Sequence, residues 1–503
     1  MHPCLNVDEI VRLIARELVA SGGGGTAVGL ACCRKSFEDP VLDTLWETQQ
    51  ELLPLLKSFP GGVWNDDGCT VSVPTMCVFF SFLDDSTRQS FKRLPTMMEW
   101  ARFRKYARRM RWLRGYETTD ILSLEVFPVM QLCTINKPLL PNLKTLDLWE
   151  IEGSFIPFIP LFLSPRITFI VLKFESDSPK AVVASMIATV PTLCPNLQAI
   201  TLRALPRDPM ITAAVSGIPL VANGNTFQTF RVDSPLTQEA SEVLYKLPSL
   251  RYLSVIVERE TSLPSASLPN LIELTITCNN KEDWLRIFHG ATFGKLKSVT
   301  FYLQSKQPGD FLGAFERAAL SSSVQNTLSK FCLSTSYSWN TNYSSLLQFT
   351  QMVDLDIRFS CRYGCSSRVD DDIIISLSRA MPKLETLTLG DLPCGQITTG
   401  VTTKGLIALA RHCPNLYSLR VHFRVASLSD PPAIHGVVPN AGPAASWTDC
   451  ALEVLCVGKT PMPEGSELVI ALTLLRIFPR LDCIVSDDNE DWNEVEDAIN
   501  RSQ

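Results

Sequence analysis

Two rhythms of apolar and polar residues take turns along this chain. In TTKGLIALARHCPNLYSLRV (402–421), Leu406, Ile407, Leu409 and Ala410 fall three and four apart, the spacing of one helical face. Pro414 ends that helix, because its ring denies the preceding residue the helical conformation. Beyond it, Leu416, Leu419 and Val421 adopt the alternation of a half-buried strand. A helix, a proline stop and a short strand form a unit too small to bury its own apolar face, so its stability requires stacked copies.

Such copies exist. LPNLKTLDL (140–148), CPNLQAITL (194–202), LPSLRYLSV (247–255), LPNLIELTI (268–276), MPKLETLTL (381–389) and CPNLYSLRV (413–421) place proline two positions before an anchor leucine and apolar residues three and five after it. Weaker copies are SPRITFIVL (164–172), FGKLKSVTF (293–301), SSVQNTLSKFCL (322–333), FTQMVDLDI (349–357), ALEVLCV (451–457) and FPRLDCIVS (478–486). The anchors Leu143, Leu197, Leu250, Leu271, Leu296, Leu384, Leu416 and Leu481 recur every roughly 20 to 36 residues or multiples of that, as in leucine-rich repeats with one strand and one variable helix each. This part resembles the repeats of F-box proteins, whose consensus closes a helix with cysteine-proline-asparagine-leucine before the strand; 402–421 and 193–202 match it best.

Ahead of the repeats the pattern is helical. Asp8 can cap a helix whose apolar face holds Ile10, Leu13, Ile14 and Leu18; Gly22 to Gly25 break it. Leu5, Ile10, Ile14, Leu30, Phe37, Leu42 and Trp46, in three short helices, resemble an F-box of the fungal type. That resemblance implies a module docking the Skp adaptor of a cullin–RING ubiquitin ligase through those seven residues. Three helices of this size form a marginal core and need a neighbour. Next, Leu52, Leu53, Leu55 and Leu56 continue a helix closed by Gly61 and Gly62, and 71–82 is apolar. Residues 102–114 interleave arginines with Phe103, Tyr106 and Trp112, which reads as a solvated helix face over buried aromatics rather than a patch for phosphorylated, acidic or nucleic-acid partners.

Composition changes this picture little. The 503 residues are 46% hydrophobic and 19% charged, the balance of a folded chain, and a net charge of -6 argues against nucleic acid as the partner. No secretory signal is expected at the first residues, and prolines interrupt the apolar stretch 155–174, against a membrane span. The sixteen cysteines are then reduced and the sequon at Asn342 unused, with a cytoplasmic or nuclear location or both.

Candidate chemistry fails on spacing. Gly458-Lys459-Thr460 has Glu453 where a phosphate loop needs its first glycine. Cys361 and Cys365 have no second ligand pair, and Asp370 to Asp372 serve a helix N-terminus through its dipole. His2, His289, His412, His422 and His435 are dispersed. No catalytic, cofactor or metal site, and no enzyme, is expected.

The expected architecture is an α/β repeat: an F-box-like helical module at 1–48, a helical or irregular linker and cap at 49–115, an irregular leucine-rich-repeat solenoid of horseshoe form at 116–486, and an acidic capping helix or tail at 487–503. Strand alternation offers Trp149, Arg203, Tyr252, Tyr302, Arg358, Arg420 and His422 to a target protein on the concave face. Polar insertions at 334–345, 360–372 and 426–447 interrupt the array. The expected function is substrate recognition for a Skp–cullin–F-box type ligase, the alternative being a repeat scaffold unconnected with ubiquitin.

Overall fold

The computed structural model describes residues 7–64, 90–116, 122–134, 137–257, 267–279, 291–304, 310–322, 324–335, 342–359, 369–390, 400–429, 449–458, 460, 462, 465–486 and 491–502. Leu5, the apolar stretch 71–82, Cys361, Cys365, His2, His289 and His435 lie outside them, as do most of the three insertions and residues 487–490 of the tail. The chain divides into two compact units, Met1–Ser249 and Leu250–Gln503.

The first unit opens with α1 (Asp8–Ala20), α2 (Gly24–Cys33) and α3 (Lys35–Glu47). It continues through β1 (Thr48–Gln49), a single turn α4 (Leu53–Leu56), α5 (Met97–Ala107) and β2 (Trp112–Tyr116). Four more strands follow: β3 (Thr145–Ile151), β4 (Phe169–Phe174), β5 (Ala199–Arg203) and β6 (Thr229–Pro235). All six strands pair in parallel in sequence order. Parallel neighbours need crossover connections, supplied here by helices such as Lys180–Leu193 and Pro209–Val221, which pack on each other.

The second unit repeats the plan with β7 (Tyr252–Val257), β8 (Ser267–Leu268), β9 (Glu273–Cys278), β10 (Thr292–Phe293), β11 (Ser298–Leu303) and β12 (Lys330–Thr335). Then come β13 (Asp354–Phe359), β14 (Thr386–Leu389), β15 (Ser418–Val421), β16 (Val454–Gly458) and β17 (Cys483–Ser486). β8 and β10 pair with each other; the other nine form one parallel ladder. Each unit is therefore an α/β repeat array.

One hydrogen-bond arrangement recurs at the start of the strands. The carbonyl after each anchor accepts two N–H groups from the next turn: Arg111 O from Lys144 and Thr145, Lys144 O from Thr168 and Phe169, Thr168 O from Gln198 and Ala199. In the second unit Val353 O takes Glu385 and Thr386, Glu385 O takes Tyr417 and Ser418, and Tyr417 O takes Glu453 and Val454. The anchors beneath are buried, Leu143, Leu384, Leu416 and Leu481 completely. The junction's polar residues satisfy carbonyls of the preceding turn, as buried polar groups must. Asn142 Nδ2 donates to Arg108 O at 2.6 Å and Asn196 Nδ2 to Pro165 O at 2.8 Å. The Cys413 thiol lies 3.5 Å from Met381 O, and the Cys450 thiol 3.6 Å from Cys413 O.

Helices are stapled between repeats as well. Asp370 caps its own helix, Asp371–Ala380, by accepting from Ile373 N at 3.0 Å. Asp371 instead reaches the next helix, Thr403–His412, accepting from Thr402 N at 2.8 Å and Gly405 N at 3.0 Å. A Cβ at Gly405 would stand 2.6 Å from Asp371 Oδ1, so glycine permits that approach. At the chain's end the helix Asp491–Ser502 buries Trp492, Val495 and Ile499, and the Trp492 indole donates to Thr460 O at 2.9 Å.

Three expectations are revised. The parallel ladder begins at β1 and β2, ahead of the expected start at 116, and β2 pairs along its whole length with β3. β6 is a further repeat in which Phe227 takes the leucine's place, with Phe230 and Val232 three and five positions on. The glycine break is shorter than expected: Gly22, at φ +79°, makes the turn, while Gly24 and Gly25 already belong to α2.

Truncating an anchor leaves a cavity that a rigid ladder cannot fill. Leu416→Ala should lower unfolding free energy by about 2–5 kcal/mol in urea titration; a change under about 0.5 kcal/mol would show that the junction is not a packed core position.

Candidate functional site

The N-terminal helices build a small core of Val11, Ala15, Ala27, Phe37 and Val41, with Leu18, Leu30, Ala31 and Leu45 partly buried against it. The inward face of α1 is thus Val11, Ala15 and Leu18, not the expected set of Ile10, Leu13, Ile14 and Leu18. Leu13 is 59% and Ile14 37% exposed, Val28 on α2 is 50% exposed, and Ile10 is half-buried. The reason is the width of the apolar stripe on α1: two sides of it are apolar, and α2 and α3 cover one.

The adaptor-facing residues named from sequence therefore separate. Ile14 is open to a partner. Ile10, Leu30 and Leu42 are half-buried. Phe37 is 2% exposed and belongs to the core, which corrects its assignment to the docking surface. Trp46 is half-buried, its ring 4.8 Å from that of Tyr106 on α5.

That ring contact is one part of a larger contact between α3 and α5. Trp100, Phe103 and Ala107 of α5 are buried, and Thr96 and Glu99 form a capping box at its N-terminus. The opposite face carries Lys105, which bonds Glu38 at 2.8 Å, and it leads into Arg109, which pairs with both Asp39 and Asp43. Arg12 of α1 also reaches Asp43, at 2.9 Å, and Arg16 reaches Glu47 at 3.5 Å. The Arg109 side chain is only 12% exposed, so its pairs are better shielded from solvent than ordinary surface pairs. Part of the basic segment is thus the seat of the N-terminal module.

On the strands, burial alternates as the anchors require: the first, third and fifth strand residues, two, four and six positions after the anchor, face outward in most copies. In the first unit, Trp149 lies near the end of β3, its indole donating to Asp147 at 2.6 Å and the Lys173 ammonium 5.5 Å from its ring centre. Lys173 is in register with Arg203, which is exposed. The backbone turns left-handed just there, at Glu150 (φ 53°) and Ala204 (φ 55°), and Asp233 accepts from Ala204 N at 3.2 Å.

In the second unit, Tyr302 is 46% exposed and shares a row with Ser334 and Arg358. Arg358 makes two bonds to the Asp356 carboxylate, at 2.7 and 2.8 Å, which hold its guanidinium along the strand. Arg420 is in register with Thr388, which is in register with Asp356; His422, half-buried, follows β15. The fold therefore gathers Trp149 with Arg203, and Tyr302 with Arg358, Arg420 and His422, towards the carboxyl ends of their strands. Tyr252 stands at the opposite end, beginning β7 beside Glu273. Sequence reading missed Phe169, 45% exposed at the start of β4; it lies two positions after the anchor Ile167, so the same count would have found it.

Among the described residues no three histidine, cysteine or acidic side chains are placed to hold a metal ion, and no helix is long and apolar enough to cross a membrane. Burial pushes the Cys194 thiol up to about 12, and burial followed by the neighbouring Cys450 does the same for Cys413. Both stay protonated at any physiological pH, and only the thiolate is a nucleophile. Alkylation of the native chain at pH 8 should therefore label the exposed Cys32 and Cys33 and spare Cys194 and Cys413 until denaturant is added. Peptide mapping that finds Cys413 labelled in the native state would contradict its place at a packed junction.

No family model matches this chain, and no curated protein does. Among solved structures it is similar to a chain of the crystal structure of the Rad7 and Elc1 complex in yeast, with 16% sequence identity and a TM-score of 0.39, over 60% of this chain and 77% of that one. A likeness at that level places no residue and assigns no role.

Proposed function

We propose that this protein is a substrate-recognition adaptor of a Skp–cullin–F-box type ubiquitin ligase. Its N-terminal helices dock a Skp-type adaptor, and a target protein binds the outward strand faces. The observation that carries the reading is the three-helix module itself. It has its own small core, is seated on α5 by ion pairs, and leaves Leu13, Ile14 and Val28 exposed beyond it. A helix that caps a repeat array needs one apolar face; α1 has a second, and exposed apolar residues in a group suit a partner.

The chain does no chemistry in this reading. It holds the target near the ligase, and transfer is accelerated by proximity. The residues offered to the target are Trp149, Arg203, Tyr302, Arg358, Arg420 and His422, of the aromatic and arginine kind that dominates interfaces, with Tyr252 as a separate contact. Action in the cytoplasm or nucleus follows from the pathway. The alternative, a repeat scaffold unconnected with ubiquitin, keeps the strand faces and gives the N-terminal helices only a capping role.

Capture of a purified Skp-type adaptor separates the two. The full chain should retain it, and Ile14→Asp should weaken retention by roughly tenfold or more, since burying a new charge at an interface centre costs several kcal/mol. Ile14 is exposed, so the variant should melt as the parent does. Absence of capture by the unaltered chain would leave the scaffold reading.

A further inference from the structure

The seat of the N-terminal module contains more cation than it uses. A cavity of about 290 Å³ opens between α1, α3, the segment that follows α5, the start of β2 and the residue that leads into β3. Six cationic side chains line it against two acids, Asp43 and Glu47. Arg12, Arg16 and Arg109 are neutralised by those acids and by Asp39. Arg108, Arg111 and Lys144 are not: among the described residues their side chains make no ion pair or hydrogen bond.

The backbone holds this excess in place. Arg111 N donates to Glu47 O at 2.9 Å and Lys144 N to Arg111 O at 2.8 Å, so Arg111 and Lys144 occupy the same position on consecutive rungs, about 4.8 Å apart. Arg108 is fixed by the bond its carbonyl accepts from Asn142 at 2.6 Å. Three cations without an acidic partner around one cavity repel one another. Folding gains nothing from the arrangement, whereas a bound anion would reverse its sign.

We infer that this cavity binds the phosphate group of a phosphorylated serine or threonine on a protein segment. Two planar guanidinium groups and an ammonium around one space suit a dianion with several acceptor oxygens. The volume falls at the bottom of the range for small-molecule pockets, enough for one such group and its stem. A nucleic acid would need a track of cations along a strand, and the -6 chain opposes a polyanion. Trp112, 41% exposed and lining the cavity, offers a surface for the residue next to the phosphate. The site is independent of what the N-terminal helices dock.

The test uses the full chain with an oriented peptide library fixed at phosphoserine, and the same library fixed at serine. The phosphorylated library should be retained about tenfold or more over its twin, and Arg108→Ala/Arg111→Ala/Lys144→Ala should abolish that excess while Arg102→Ala, on the exposed face of α5, leaves it. Relief of like-charge repulsion should leave the triple variant's melting temperature equal or higher. If it loses the fold, single Lys144→Glu, at an exposed position, replaces it with the same expectation. Equal retention of both libraries, or an excess that survives the substitutions, would overturn the inference. So would inorganic phosphate alone binding as tightly as the phosphopeptides, which marks a free-phosphate site, or preferred retention of single-stranded RNA.

Discussion

At the start of successive strands, one carbonyl oxygen accepts two N–H groups from the following turn, and the side chain just before it is an anchor sealed in the core. This shared acceptor sets the register of the parallel strands, because it fixes where each begins relative to the last. Everything else in the repeat is permissive by comparison. Between one junction and the next the chain builds a long helix such as Lys180–Leu193, a one-turn piece or a short 3-10 segment, and still returns to the same point. Parallel strands cannot be joined by tight turns, so the crossover length is free to vary while the junction is not.

The same constraint generates the surfaces. Once register is fixed, side chains alternate strictly, and outward positions line up in rows across the ladder. Tyr302, Ser334 and Arg358 are one such row; Lys173 and Arg203 belong to another. At the first rungs the row before the strands brings Arg111 and Lys144 together beneath the helical module, whose acidic α3 is seated on Lys105 and Arg109. The N-terminal helices thus answer the smallness of their own core with charge, and the apolar side of α1 stays exposed.

The repeat was legible because its junction is local: a proline, a leucine two positions later and apolar residues three and five beyond that sit within nine residues. Where the junction carried Phe227 or Met110 in place of leucine, without the proline, the strand went unread, although Phe230 and Val232 keep the outer spacing after Phe227; after Met110, Leu113 keeps the third position and Gly115 takes the fifth. The basic segment shows the other limit. Helical spacing rightly assigned Phe103 to the interior, but Tyr106 is half-buried and Trp112, which begins β2, is 41% exposed. Arg109 finds Asp43 across 66 residues, where no periodicity announces a partner. The face of α1 was misassigned for a related reason: an apolar stripe wide enough for two faces does not say which one its neighbours cover. Phe37 was given to a partner and is needed at home.

Native-state hydrogen exchange measures the central constraint directly. If the shared carbonyl organises each rung, the amides of Gln198 and Thr168 in the first unit, and of Glu385, Tyr417 and Glu453 in the second, should be among the slowest to exchange within their units. They should open together with their strands and far more slowly than amides of the solvated α1. Exchange at those positions as fast as in α1, with the strands themselves protected, would contradict the account, since register would then be held by something other than the junction.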